Sequence, residues 1–137
     1  MTDQLFESRY VTFYFNTQQR CITDSWTCDS KILSPKGFQE YLLQWKALVF
    51  QHQAKKALVD ARKLRVMIYP EMQTWIAQKI ITPVIEAGME RIAIVLPSAL
   101  FEKVILKQVL EEVNEFTLLR KQVFDDLRIA QAWLFSQ

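Results

Sequence analysis

The stretch of sequence that decides the fold is Glu90-Arg91-Ile92-Ala93-Ile94-Val95-Leu96, which Pro97-Ser98 follows. Five consecutive apolar residues that end at a proline are typical of a strand buried on both faces of a sheet. A second run, Lys56-Ala57-Leu58-Val59-Asp60-Ala61, is also short and apolar. We expect both runs to form central strands of one sheet.

Helical patterns surround these strands. Ser34-Pro35 predicts the start of a helix, with serine as the N-cap and proline in the first turn, and apolar residues then recur at spacings of three and four as far as His52. Tyr69-Pro70-Glu71 opens the next helix in the same way, and Ala87-Gly88 closes it with a glycine. Pro83 lies inside this second helix, so we expect a kink or an early break just before it.

Two runs of aromatic and β-branched residues precede the first helix, and the short polar break between them predicts an antiparallel hairpin. These strands are predicted over Arg9 to Asn16 and Cys21 to Thr27. The remaining predicted elements are a helix over Leu100 to Val113, a short strand over Phe116 to Val123, and a last helix capped by Asp125-Asp126.

The predicted order of elements is therefore ββαβαβαβα. Strands that alternate with helices pair in parallel through right-handed crossovers. We expect a single α/β domain over residues 1–137, with a mixed, mostly parallel sheet of about five strands, an N-terminal antiparallel hairpin and about four helices.

The composition excludes several classes of function. Gly37 and Gly88 are the only glycines, which leaves no glycine-rich phosphate loop, and His52 is the only histidine, which leaves no histidine pair for a metal. We therefore expect neither a cofactor nor a metal. Seventeen basic and fifteen acidic residues give a net charge of +2, too little to indicate nucleic-acid binding.

The sequence also predicts neither a membrane-spanning segment nor a secretory signal peptide. Its longest apolar runs are far shorter than the roughly 20 residues of a membrane span, and the charged first ten residues contain no apolar core of a signal peptide. Two cysteines with no metal-binding or redox spacing are expected to be reduced thiols. We expect a cytoplasmic protein with no integral membrane segment.

Several local patterns from about residue 34 onward carry a family resemblance. They are Ala57-Leu58-Val59-Asp60-Ala61-Arg62, Glu71 to Trp75-Ile76, Gly88 to Leu96-Pro97, and Phe124-Asp125-Asp126 through Ala132-Trp133-Leu134. In these patterns the chain resembles the SpoIIAA-like proteins, which share the STAS domain fold (sulfate transporter and anti-sigma-factor antagonist). The resemblance is to their largely uncharacterised bacterial branch, and it implies a regulatory module that binds other proteins.

The resemblance does not extend to phosphorylation. In the anti-sigma antagonists of this family, a phosphorylatable serine lies where the strand corresponding to Lys56–Ala61 leads into the next helix. Here the matching stretch, Val66-Met67-Ile68-Tyr69-Pro70-Glu71-Met72, contains no serine or threonine, and Tyr69 carries its only hydroxyl. We therefore expect a regulatory module without the usual phosphorylatable serine.

Asp60 and the cations after it are the main candidates for binding. Asp60 lies at the carboxyl end of a predicted parallel strand, where open α/β sheets place ligands, and Arg62, Lys63 and Arg65 follow in the same loop. An acid and three cations can hold a small anionic ligand or the acidic helix of a partner. Alternatively, Asp60 caps loop amides and the cations are simply solvated.

Two further residues belong to the same predicted edge of the sheet. Tyr69 precedes the second helix, and Ser98 follows the strand that ends at Leu96. Ser98 is expected to be a helix N-cap; a nucleophile would need a base nearby, and His52 ends a helix elsewhere.

The aromatic hairpin is a candidate for self-association or for a protein partner. In strict alternation Tyr10, Thr12 and Tyr14 share one face, while Val11, Phe13 and Phe15 share the other. Both faces are thus rich in aromatic residues. The alternative is that helices cover both faces and bury them.

Three functions compete. The first is a non-enzymatic cytoplasmic binding or regulatory module that acts through contacts with other proteins or with a second copy of itself in a homodimer. The second is a small-molecule or lipid carrier of the SEC14 type, because similar sheets occur in such proteins, with an apolar cavity between helix and sheet. The third, which we rank last, is an enzyme that uses Asp60 with the neighbouring cations on a phosphorylated substrate.

Overall fold

A computed structural model describes residues 2–96 and 120–136. Within them, one mixed sheet has its strands in sequence order. The strands are β1 (Thr2–Glu7), β2 (Val11–Asn16), β3 (Cys21–Trp26), β4 (Lys56–Asp60), β5 (Arg91–Val95) and β6 (Arg120–Phe124). The first three pair antiparallel, and β3 to β6 pair in parallel. The predicted α/β class and mixed sheet are confirmed.

The described helices follow the capping signals in the sequence. They are a 3₁₀ turn (Cys28–Ile32), α1 (Pro35–His52), α2 (Pro70–Ile76), a π-helical turn (Ala77–Ile81), α3 (Thr82–Glu86) and α4 (Leu127–Leu134). Ser34 Oγ accepts a hydrogen bond from the Gly37 amide at 3.0 Å, as an N-cap does. Asp126 Oδ1 accepts one from the Ile129 amide at 3.1 Å, so both predicted caps are confirmed.

The strand count differs from the prediction of about five, because the sheet of the described residues has six. The additional strand is β1, an edge strand that pairs with β2 through a register shift between Gln4 and Phe6. Its polar, mostly exposed sequence has no clean alternation, so it lacks the pattern by which a strand is recognised. The predicted helix Leu100–Val113, residue Ser98 and the first part of the predicted strand Phe116–Val123 lie outside the described residues.

Pro83 produces the predicted irregularity in the second helical segment. A proline has no amide hydrogen to donate to the carbonyl four residues earlier, here that of Lys79. The helix adopts a π-helical turn directly before Thr82, and Lys46 Nζ from α1 donates to the Lys79 carbonyl at 2.9 Å. A side chain from the neighbouring helix thus pairs with a backbone carbonyl of the irregular turn that precedes Pro83.

The two faces of the sheet are covered unequally. Val11, Phe13 and Phe15 of β2 are buried in the cluster that also contains residues of α1 and of the segment from α2 to α3. On the other face, α4 packs against β4, β5 and β6. Thr12 and Tyr14 on that face remain only half-buried. The predicted alternation holds from Val11 to Phe15, and helices bury the face of Val11, Phe13 and Phe15. Tyr10 departs from it: it precedes β2, and its ring lies 6.0 Å from that of Tyr41 of α1, so it does not share the face of Thr12 and Tyr14.

Candidate functional site

The candidate site lies at the carboxyl ends of the parallel strands β3 and β4, and this end of the sheet is here called the crest. The two strands are parallel, with Ser25 opposite Asp60, so their last residues, Trp26 and Asp60, lie at the same end of the sheet. A cavity of about 340 Å³, here called the crest cavity, opens there. Its walls are formed by Ser25, Trp26, Thr27, Cys28, Asp29, Asp60, Arg62 and Lys63.

Asp60 and Arg62 form a bidentate ion pair at this cavity. Arg62 Nε donates to Asp60 Oδ1 and Arg62 Nη2 donates to Asp60 Oδ2, each at 2.8 Å. The Asp60 side chain is 14% exposed and that of Arg62 is 49% exposed. The hydrogen bond to Asp60 raises the pKa of Arg62 above its ordinary value. Both carboxylate oxygens are therefore engaged, while the outer side of the guanidinium faces solvent.

Lys63 and Asp29 lie in the same cavity but differ in their partners. Asp29 accepts a hydrogen bond from Arg9 Nε at 3.1 Å, so its charge is paired at the surface. Lys63 is exposed and makes no hydrogen bond or ion pair with any described residue. Among the described walls of the crest cavity, Lys63 is thus a cation with its charge available to a ligand.

Buried residues hold in place the loop that carries Arg62 and Lys63. Leu64, Val66 and Ile68 are buried, so alternate side chains anchor an irregular segment in the core. The buried Ser30 Oγ accepts from the Arg65 amide at 2.9 Å. The buried Gln73 Nε2 donates to the Ile68 carbonyl at 3.3 Å. The segment from β4 to α2 is irregular but held in place, and this fixes the positions of Arg62 and Lys63.

The other predicted site residues lie outside the crest cavity. The Arg65 guanidinium turns back to donate to the Leu64 carbonyl at 2.9 Å. Tyr69 is 56% exposed and takes the N-cap position of α2 without a side-chain cap. Ser98 belongs to the part of the chain that the structure does not describe. Of the predicted set, Asp60, Arg62 and Lys63 are brought together.

Sequence reasoning did not assign the residues that follow β3 to this site. Thr27, Cys28 and Asp29 line the crest cavity because β3 and β4 are parallel neighbours and end together. The signal that predicts this is the parallel pairing itself, since ligands gather at the carboxyl ends of adjacent parallel strands. The sequence pattern predicts Cys21 to Thr27 only as one strand of a hairpin, so it does not indicate that this strand ends beside β4.

A second cavity, here called the apolar cavity, lies between α1, the segment from α2 to the π turn, and the sheet. It encloses about 80 Å³. Its walls are Asp24, Trp26, Phe38, Leu42, Trp45, Val59, Leu64, Ile68, Ile76, Ile80, Ile81 and Ile94. Sequence reasoning raised such a cavity only in general terms, and Asp24 was not singled out.

Asp24 is the polar exception in the apolar cavity. Its side chain is 4% exposed, and Oδ2 accepts a hydrogen bond from Trp26 Nε1 at 2.7 Å. Burial raises the pKa of Asp24 to about 7, and the negative charge of Asp60 acts in the same direction. Asp24 Oδ1 and Trp45 Nε1 are buried without a hydrogen-bond partner among the described residues.

Comparisons of the chain with protein-family models, with curated proteins and with solved structures found no match. None of the helices in residues 2–96 and 120–136 is both long and apolar enough to span a membrane. The described residues also contain no group of three or more histidine, cysteine, aspartate or glutamate side chains placed to hold a metal.

Proposed function

We propose that the protein is a non-enzymatic binding module of the SpoIIAA-like (STAS) fold and acts through protein–protein contacts at the crest. The observation that carries this proposal is the placement of Lys63 beside Arg62. These exposed cations stand on a fixed loop, and Lys63 lacks a counter-ion among the described residues. Cations held in this way recognise an acidic surface and steer its approach.

The non-enzymatic part of the proposal rests on Asp60. A general base needs a carboxylate oxygen within reach of the proton it removes. Both oxygens of Asp60 accept hydrogen bonds from Arg62, so the carboxylate serves to orient the guanidinium. In this proposal Asp60 is a positioning residue for a binding surface.

The family and the setting are further parts of the proposal. The N-terminal antiparallel strands followed by parallel strands, together with the patterns around Asp60 and after Phe124, support the SpoIIAA-like fold and with it a bacterial regulatory role. The two free thiols, Cys21 and Cys28, support a reducing compartment such as the cytoplasm.

Site-specific photo-crosslinking in the native cell tests this function. A photo-reactive amino acid replaces the exposed Cys28 on the wall of the crest cavity in one variant, which leaves Arg62 and Lys63 intact. In a control it replaces the exposed Glu86, which ends α3 near the start of β5 at the opposite end of the parallel strands. We expect position 28 to capture one defined protein, either a different chain or a second copy of this one, and position 86 to capture none. Equal capture at both positions would contradict the proposal.

A second candidate function, a carrier for a small apolar ligand, is favoured by the apolar cavity. A space of about 80 Å³ lined mainly by isoleucine, leucine and aromatic side chains suits an uncharged guest. Native mass spectrometry of the protein purified from its own cell tests this function. A carrier is expected to retain a bound small molecule, and a bare chain mass in every preparation would contradict it.

A further inference from the structure

The apolar cavity contains two polar atoms that the fold leaves unpaired. Asp24 comes from β3 and Trp45 from α1, and both line the cavity. Asp24 Oδ1 and Trp45 Nε1 are buried, and neither has a hydrogen-bond partner in residues 2–96 or 120–136. Buried polar atoms are nearly always paired with protein, water or ligand. Two such atoms on the walls of one cavity therefore indicate an occupant that pairs with them.

The two atoms have complementary roles. Trp26 Nε1 already donates to Asp24 Oδ2, so Oδ1 is the oxygen left to pair, as an acceptor when Asp24 is ionised and as a donor when it carries a proton. The indole nitrogen of Trp45 can only donate. A hydroxyl suits both atoms, because its proton and two lone pairs let it pair with Asp24 in either protonation state and accept from the Trp45 N–H.

Other head groups fit less well. A carboxylate or phosphate would bring a negative charge into an apolar space whose described walls include no cation, which is strongly disfavoured. An ammonium group can donate to Asp24 but has no lone pair to accept from the Trp45 N–H. A plain hydrocarbon fills the space and leaves both atoms unpaired.

The size of the cavity sets the length of the guest. Its 80 Å³ is roughly five times the space that one buried water needs. A cluster of waters would find few polar partners among walls such as Phe38, Ile76 and Ile80.

From these observations we infer that the apolar cavity is a binding site for small uncharged alcohols, with the hydroxyl between Asp24 and Trp45 and the hydrocarbon chain among the isoleucines. This inference rests on the second candidate function and specifies its ligand class. It assigns no role to the crest cavity.

Three probes of similar size test the inference: 1-pentanol, 1-chloropentane and pentanoate. Binding to the full chain is followed through the four indole N–H signals in ¹H–¹⁵N spectra, with the Trp45 signal assigned by Trp45→Phe. We expect 1-pentanol to shift the Trp45 signal at saturation, and 1-chloropentane to bind about tenfold more weakly, since it lacks the hydrogen-bonding group. Pentanoate is expected not to bind.

Matched variants separate recognition from general packing. Asp24→Asn and Trp45→Phe are each expected to weaken 1-pentanol binding about five- to tenfold. Asp29→Asn and Trp75→Phe change the same residue types outside the apolar cavity, and they are expected to leave the affinity within about twofold. In Trp45→Phe, binding is followed through the indole signal of Trp26, which also lines the apolar cavity. Should Asp24→Asn fail to fold, Trp45→Phe decides the question by this signal.

The outcomes distinguish the inference from the function on which it rests. Equal binding of 1-pentanol and 1-chloropentane, unchanged by Asp24→Asn or Trp45→Phe, would leave a carrier without hydroxyl recognition and would overturn the inference. Binding of none of the probes would overturn the inference, while the mass spectrometry described above decides the carrier function separately.

Discussion

Trp26 Nε1 donates a hydrogen bond of 2.7 Å to Asp24 Oδ2 on the buried face of the sheet. The two residues are two positions apart on β3, so their side chains point to the same face. This bond holds a carboxyl group inside the main hydrophobic cluster, where Trp26 is 3% and Asp24 4% exposed. A carboxyl group in such surroundings is more stable when it carries a proton.

The stability of the protein is therefore expected to depend on the protonation of Asp24. Burial and the charge of Asp60 raise the pKa of Asp24 from 3.8 to about 7 in the folded chain. Between pH 3.8 and about 7, Asp24 is protonated in the folded chain but ionised in the unfolded chain. Its contribution to the free energy of unfolding is therefore fully present below pH 4 and is lost as the pH rises through 7. We expect a loss of roughly 2–4 kcal/mol in the free energy of unfolding.

Urea unfolding of Asp24→Asn and of the wild type across this range measures the effect. The variant is expected to differ little from the wild type near pH 4 and to become the more stable of the two near pH 8. Asp125→Asn, at an exposed aspartate, serves as the control and should follow the wild-type profile. A constant difference between Asp24→Asn and the wild type at all pH values would rule out this account of Asp24.

The hydrogen bond from Lys46 to the Lys79 carbonyl is expected to depend on Pro83. Lys46→Met removes the donor and should cost about 0.5–1 kcal/mol of unfolding free energy. In a Pro83→Ala background, the new amide at position 83 can donate to the same carbonyl, so Lys46→Met should then cost close to nothing. A double-mutant cycle by urea denaturation measures this coupling, and equal losses in both backgrounds would disprove it.

The two thiols are expected to react at very different rates. Cys28 is exposed at the crest cavity, whereas Cys21 is 2% exposed and burial raises its pKa to about 12. Only the thiolate attacks a disulfide reagent, so Cys21 is protected by both its burial and its protonation. A colorimetric thiol assay on the native protein near pH 8 should show one fast thiol, which Cys28→Ser removes and Cys21→Ser keeps. Two fast thiols would contradict this assignment.

The parts of the fold that could be predicted are those with a local physical signal. Pro35 and Pro70 mark helix starts because proline fits the first turn, and Gly88 ends α3 with a φ of 115°, which a glycine adopts easily. The buried strand at Arg91–Val95 is visible because both of its faces are apolar. By contrast, β1 is held by pairing with β2 and its exposed sequence carries little pattern of its own.

The candidate sites were predicted only where a single segment carries them. Asp60, Arg62 and Lys63 are neighbours in sequence, so the loop alone indicates their grouping. Asp24 and Trp45 lie on different elements, and what brings them together is the packing of α1 on the sheet. Alternation along β3 places Asp24 beside apolar neighbours on one face, but a polar residue at such a position is ordinarily expected to point outward.

Our central claim is that Lys63, a cation of the crest without a partner among the described residues, binds an acidic protein surface. The most direct measurement is made by calorimetry on the protein captured at position 28. Its affinity is compared for the wild type and for two matched variants, Lys63→Glu and Lys79→Glu. Both lysines are exposed, and Lys79 belongs to the π turn of the helical layer. We expect Lys63→Glu to weaken binding about tenfold or more and Lys79→Glu to change it less than about twofold. Equal affinities of the two variants would contradict the claim.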